Sequence, residues 1–431
     1  MKKRALKKKS TSSQSPQSNR ISPLSDFFKQ ESSSGILIVI ASILGLLVAN
    51  GPWSKNYFQI LETKLSLSIS TFSFDMDLIH IVNDGLMTIF FFVVGLEIKR
   101  ELSEGHLSSI KKAALPFFAA IGGMAIPALI YLVIAGGTNS SGWAIPVATD
   151  IALAIGVLGL IGSKNIATLR PFLLGLAVID DIGAILIIAI FFSFGLTFSW
   201  LLAAILSILI VVFVKYLNIR FTIVYVFLGI ILWFCLYKSG IHPTIAGVIL
   251  GLIAPATPFI SKGYIDTEEL TNLSSAEHVA KTKKIAKSSV SVVEWLEHQI
   301  HPWTAFFIVP LFAFVNSGII ITLPSLQQAI NSPIAWAIFA GLVAGKPLGI
   351  FAFSFVAIKS NVGTLSGKVK WREIFATGST AGIGFTVSIF IAKLAFTDPN
   401  LQNLAILSVL VASVVSGLLS LLLFKLGNKQ T

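Results

Sequence analysis

Two adjacent carboxylates, Asp180 and Asp181, stand in the middle of FLLGLAVIDDIGAILIIAIFF, a run from Phe172 to Phe192 that otherwise reads as membrane. One charged side chain at the centre of a membrane helix costs about 2.5–3.5 kcal/mol on insertion scales. Two side by side also repel, so the pair must share a proton or hold a cation. Residues of this type in this place point to a cation or proton site inside a membrane protein. Asp150 is a third acid in such a run, next to Thr149 in GWAIPVATDIALAIG. Lys346, in AGLVAGKPLGIFAF, is a base in the same kind of setting. An unpaired buried ammonium is costly, and the acids open to it are Asp84, Asp150, Asp180 and Asp181. The economical partner is one member of the Asp180–Asp181 pair. Helical neighbours point about 100° apart, so one carboxylate can face an ion path while the other faces a different helix.

Blander roles compete at each position. The Asp180–Asp181 pair could be a structural ion-pair node. Asp150 could simply cap a half-helix, which is compatible with function. Asp84, in IVNDGLMTIFFF, reads as a polar residue near an interface or aqueous funnel, Lys393 as a snorkelling side chain, and Cys235 as core. GLVAGKP has the spacing GxxxGK rather than GxxxxGK[ST] and sits in an apolar run, so it is not read as a phosphate loop. GLEIKRELSEGH carries Glu97, Arg100 and Glu101, and VEWLEHQIHPW carries Glu297, His298 and His301. These are either helix-end charges with i,i+4 pairing or a pH-sensing cluster.

The elements that must hold these residues are membrane spans. The chain has 431 residues, 55% hydrophobic and 12% charged, where soluble domains carry about 25% charged. A single cysteine excludes a disulfide framework and a cysteine-rich metal site. A span needs roughly 20 apolar residues. Twelve are expected, near 35–50, 79–98, 113–136, 142–162, 169–194, 197–217, 220–238, 241–259, 303–321, 333–356, 374–396 and 402–425. Of the 32 Lys and Arg residues, 27 fall on the side of the N-terminus and three on the other. The positive-inside rule then puts both termini in the cytoplasm, and it accounts for the net charge of +12 without nucleic acid. Pro146 with Asp150, and Gly378, Gly382 and Gly384 in GSTAGIGFTVSIF, mark spans 4 and 11 as interrupted helices whose freed backbone groups need other partners. Residues 1–34 are expected to be a disordered basic tail ending in a short interfacial helix around Leu24, Phe27 and Phe28. Alternation over Leu65, Leu67 and Ile69 and then Phe72, Phe74 and Met76 predicts a small hairpin in the first outer loop. A two-stranded hairpin is marginal alone, so it is expected to pair with a second copy. The stretch 260–300 reads as a cytoplasmic loop, partly helical or disordered.

From about Phe27 to Leu426 the chain resembles the NhaA-type sodium/proton antiporters. The matching segments are IVNDGLMTIFFFVVGLEIKREL, GWAIPVATDIALAIGVLGLIG, LAVIDDIGAI, LEHQIHPWTAFFIVPLFAFVNSG, AGKPLGI and GIGFTVSIFIA. Inverted repeats with interrupted spans are themselves known from this family, so the broken-helix argument is not independent of the resemblance. The resemblance implies an all-α protein of about twelve helices with inverted repeats, in a bacterial inner membrane. It also implies a membrane domain over 35–426, with a repeat-built core at 113–194 and 333–425 and flanking panels at 35–98 and 197–321. Residues 427–431 form a C-terminal tail. Asp181 would be the main sodium ligand and Asp180 the proton-linked partner, able to bond Lys346. Thr149 and Asp150 would lie where the broken helices cross, with Asp150 and Lys346 offsetting the half-helix dipoles. Glu97, Arg100, Glu101, Glu297, His298 and His301 match a region associated with pH activation. Asp84 matches an acid of the outer funnel, and the hairpin over 65–76 a dimer contact. Sodium, lithium and protons would be the cargo, with no cofactor. The chain departs from the family in its longer basic tail and longer 260–300 loop.

Three rival classes remain. A sodium-coupled solute symporter needs a larger polar cavity than the small apolar neighbours of Asp150 and Asp181 suggest. An intramembrane aspartyl protease needs its acids on facing helices, and a prenyl transferase needs DDxxD where this chain has DDIGA. A channel is conceivable, but gating is not written in sequence.

Overall fold

Residues 31–69, 72–161, 166–193, 195–217, 219, 221–256, 291–364 and 369–428 are described by a computed structural model. Residues 1–30 of the basic tail, its expected interfacial helix and most of the 260–300 loop lie outside them, while residues 31–34, expected in the tail, already form the start of a helix. The order begins with α1 (Glu31–Ala49) and α2 (Ser54–Leu61), which meet at 112° because Gly51-Pro52 interrupts the helix. The strands β1 (Lys64–Ile69) and β2 (Phe72–Asp77) follow as an antiparallel hairpin. Its register pairs Leu65 with Met76, Leu67 with Phe74 and Ile69 with Phe72. Asp77 ends β2 and caps the next helix by accepting from the His80 amide at 2.9 Å.

The long helices are α3 (Leu78–Ser103), α4 (Ile110–Ala135), α6 (Ile166–Phe191), α7 (Phe198–Tyr216), α8 (Thr222–Ser239), α10 (Val292–Ser317), α12 (Pro333–Lys359) and α15 (Pro399–Asn428). Between them lie α5 (Ile151–Leu160), α9 (Ile245–Ile253), α11 (Leu323–Asn331), α13 (Trp371–Ala381) and α14 (Phe385–Ala395). Among the described residues eight helices are long and apolar enough to cross a membrane, or eleven if each bent pair is one span. Val133, Phe198 and Ile223 are each more than three-quarters exposed, as lipid-facing side chains are.

Two of the expected spans differ. Of the segment near 241–259, the described residues, which end at 256, form only the nine-residue α9. Gly240 is left-handed (φ 85°), Pro243 lacks an amide proton, and Pro255 disfavours helix in the residue before it. Conversely, the span expected at 303–321 begins at Val292 and ends at Ser317. Ser291 caps it by accepting from the Glu294 amide at 3.1 Å, and a wide π turn over Thr304–Ile308 lies between Pro302 and Pro310. Residues 292–300 are thus helix rather than loop, and they carry Glu297 and His298.

Two breaks shape the interior. A 3-10 stretch over 139–147 and α5 meet at 45°, and α13 and α14 meet at 50°. The chain is extended at Ala148 and Asp150, and Gly382, Ile383 and Gly384 separate the other pair. The breaks touch: the Asp150 amide donates to the Ile383 carbonyl at 2.7 Å. Helix α4 packs along α12 at backbone distance. A methyl group on Gly349 would lie 2.0 Å from the Gly122 carbonyl oxygen, and one on Gly345 3.0 Å from Pro127 Cα.

Candidate functional site

Lys346 follows a π turn over Gly341–Gly345 in α12. Its side chain reaches across to the first break and to α6. Lys346 Nζ donates to Asp180 Oδ2 at 2.7 Å and also to Thr149 Oγ1. Thr149 has one proton, which it offers either to Asp180 Oδ2 at 2.8 Å or to the Ala381 carbonyl at 3.0 Å. Asp150 faces the other way. Its Oδ1 accepts from the Leu153 amide at 3.1 Å, and its Oδ2 from the Thr386 amide at 3.1 Å and hydroxyl at 2.6 Å. One carboxylate therefore caps α5 and ties the first turn of α14 to it. Each helix N-terminus carries roughly half a positive charge, and Asp150 sits on two of them.

Asp181 is different. It is buried, as are Asp150, Asp180 and Lys346, yet among the described residues it has no hydrogen-bond partner. Beside it, Asp180 Oδ1 is buried and unpartnered. The cluster holds three acids and one base. Lys346 bonds Asp180 and its charge also acts on Asp181 without a bond to it, and the two helix ends answer Asp150. With three acids to one base, the site can take up a proton or a small cation. Its free acceptors are Asp180 Oδ1 and the Asp181 carboxylate, hard oxygen donors that suit sodium or lithium better than a soft metal.

The six residues near the ends of α3 and α10 divide. Arg100 and Glu297 form an ion pair that joins the two helices, with Arg100 partly exposed. Glu101 is buried, and Glu297 Oε2 is buried without a partner. His298 and His301 lie on the exposed side of the helix. Glu97 feels the charges of Glu297 and Arg100, and its own charge acts on Asp181. A cavity of about 300 Å³ opens beside Arg100, Glu101 and Ser291.

Asp84 is buried in a π turn of α3, with Oδ1 3.5 Å from His242 Nε2. Trp233 Nε1 donates to Thr88 Oγ1 at 3.0 Å, and Thr88 donates to the Asp84 carbonyl at 2.5 Å. The His242 ring packs edge-on against Phe390 of α14 at 5.1 Å. Sequence reasoning missed His242, Thr386 and Ser413, whose hydroxyl accepts from the Phe385 amide at 3.2 Å. His242 had a signal, since it interrupts an apolar run just before Pro243. Thr386 and Ser413 had none, because hydroxyl residues are common in spans. Cys235 packs with Leu232 and Leu236 as core.

Buried charges at the meeting of two helix breaks, inside a bundle with a lipid-facing surface, define a membrane transporter rather than an enzyme. The comparisons agree: the profile of the family described as "Na+/H+ antiporter 1" matches residues 25–424. The chain is 42% identical over 416 residues to Na(+)/H(+) antiporter NhaA 2 of Myxococcus xanthus, covering 93% of this chain and 88% of that protein. It is 40% identical over 409 residues to the Rhodopirellula baltica NhaA, covering 92% of each. The chain belongs to the Na+/H+ antiporter 1 family.

Proposed function

We propose that the protein exchanges cytoplasmic sodium, or lithium, for external protons by alternating access, electrogenically and under pH control. The observation that carries this reading is the buried carboxylate of Asp181, without a hydrogen bond among the described residues, next to the free oxygen of Asp180. Sodium and protons compete for that position. Facing the alkaline cytoplasm, Asp181 is ionised and takes sodium. Facing the acidic outside, a proton displaces the sodium. Asp180 and Lys346 titrate as one coupled unit, and sodium reaching Asp180 weakens their bond, which returning protons restore. More than one proton per sodium makes the cycle electrogenic.

Several observations support the finer points. The Lys and Arg asymmetry favours cytoplasmic termini and an inner-membrane location. The two bent pairs support a core of discontinuous helices in inverted repeats. The buried Glu101 and the Arg100–Glu297 pair that joins the two helix ends support pH control at the cytoplasmic end.

Asp181→Asn keeps the size of the side chain and removes its charge. It is expected to abolish sodium-dependent dissipation of a pH gradient in everted vesicles while the protein still inserts. Full retained exchange would overturn the assignment.

A further inference from the structure

The short helix between α10 and α12 takes part in none of the steps above. α11 is nine residues long, and an isolated helix of that length is marginal in water. A capping box fixes its start: Thr322 Oγ1 accepts from the Ser325 amide at 3.2 Å, and Ser325 Oγ accepts from the Thr322 amide at 2.8 Å. The approach to it is tied to the hairpin side of the molecule. Asn50, just past the end of α1, donates to the Ile319 carbonyl at 2.8 Å and accepts from the Ile321 amide at 2.7 Å. Its end is tied to the next span. Trp336 Nε1 donates to the Ile330 carbonyl at 2.7 Å, one of those left open at a helix C-terminus.

At 100° per residue the helix has three faces. Ser325 and Ala329 are half-buried, and Ala329 packs on the core. Gln328 and Asn331 are polar and exposed. Leu323, Leu326 and Ile330, spaced i, i+3, i+7, form the remaining face and are 76%, 41% and 65% exposed. The polar face lies roughly 140° from this apolar stripe on the helical wheel. A stripe of exposed apolar side chains marks a contact surface, and its neighbours say what covers it. Exposed apolar surface continues at Ile320 before the helix and at Trp336 after it, and tryptophan gathers at the membrane–water boundary. Residues 319–345 carry no charged side chain, so the surface offers nothing to an anionic headgroup or a charged protein partner. We propose that α11 lies in the plane of the membrane, with Leu323, Leu326 and Ile330 among neutral phospholipids of the hairpin-side leaflet and Gln328 and Asn331 in water. Helices of this kind sink about 5–10 Å into the boundary between headgroups and acyl chains. The inference goes beyond the exchange reading, since it needs only that the chain spans a membrane. It also sets the depth of the hairpin-side end of α12, the helix that carries Lys346.

The test reads the surroundings of a fluorescent label on the full-length protein in vesicles of pure phosphatidylcholine. Cys235, the single cysteine, is buried, so the unaltered protein serves as the labelling control. A nitrobenzoxadiazole label is placed in turn at Leu326→Cys, Ile330→Cys and Gln328→Cys. The first two labels are expected to lose fluorescence to phosphatidylcholine brominated near the carbonyl, more than to lipid brominated at the chain end, and to resist aqueous iodide. The third should be quenched by iodide and spared by brominated lipid. Iodide quenching of all three would put the helix in water and overturn the proposal. Protection of the first two from both quenchers would overturn it in favour of a protein contact, such as a second copy of this chain. Stronger quenching from the chain end, or lipid quenching that appears only when anionic lipid is added, would overturn the interfacial depth or the neutral partner. No transport is measured, so the result does not depend on the exchange reading.

Discussion

Charge balance at single residues governs the site. Asp180 and Lys346 are both fully buried and bonded at 2.7 Å, and removing one partner of such a pair strands the other charge at a cost of about 3–5 kcal/mol. Lys346→Ala is therefore expected to lower the melting temperature or shift the pH profile of exchange. An unchanged profile together with unchanged melting would contradict the pairing. The competition between sodium and protons has its own signature. Where one proton is displaced per sodium bound, half-saturation for sodium should rise roughly tenfold for each unit that pH falls through the titration range. A sodium requirement flat with pH would exclude a shared site. Much of this was legible in the sequence. The adjacency of Asp180 and Asp181 and the isolation of Lys346 each stated an energetic problem that only a few partners could solve. That one member of the pair would reach Lys346 while its neighbour pointed elsewhere was legible in outline, since helical neighbours point apart. That Asp150 holds two helix N-termini at once was not, because Thr386 is 236 residues away and nothing in its local sequence marks it.

At the scale of elements, the glycines of α12 let Lys346 reach its partners. Gly345 and Gly349 bring α12 and α4 into backbone contact at Pro127 and Gly122, and Lys346 lies between them in sequence. Adding a carbon at Gly349 forces the helices apart, an overpacking cost of roughly 1–3 kcal/mol. Gly349→Ala should melt lower and lose exchange together. Gly85→Ala is the control, since its added carbon meets nothing nearer than Ile81 Cγ2 at 4.0 Å; equal melting of the two variants would refute the contact. The hydrophobic pattern marked where helices lie, but not where they end. It missed the shortness of α9 and the early start of α10, because proline and caps rather than hydropathy set those boundaries. The Val292–Trp303 stretch also carries enough charge to read as loop when hydropathy alone is averaged.

For the whole molecule, the hairpin carries the expectation of pairing with a second copy. Both strands are edges, Leu65 is half exposed, and two strands alone are marginal in water. Deleting residues 65–76 is expected to convert a dimer in detergent to a monomer while exchange per chain persists. An unchanged mass by sedimentation would show that assembly, if any, lies elsewhere. Composition, burial cost and period over a short window were enough for the membrane class, the intramembrane charges and the hairpin. Which charge answers which was settled by packing. It left Asp181 without a hydrogen bond among the described residues, joined Arg100 to Glu297, and brought Thr386 onto Asp150. Those are contacts between segments far apart in the chain, and local patterns carry no information about which distant neighbour packing will bring.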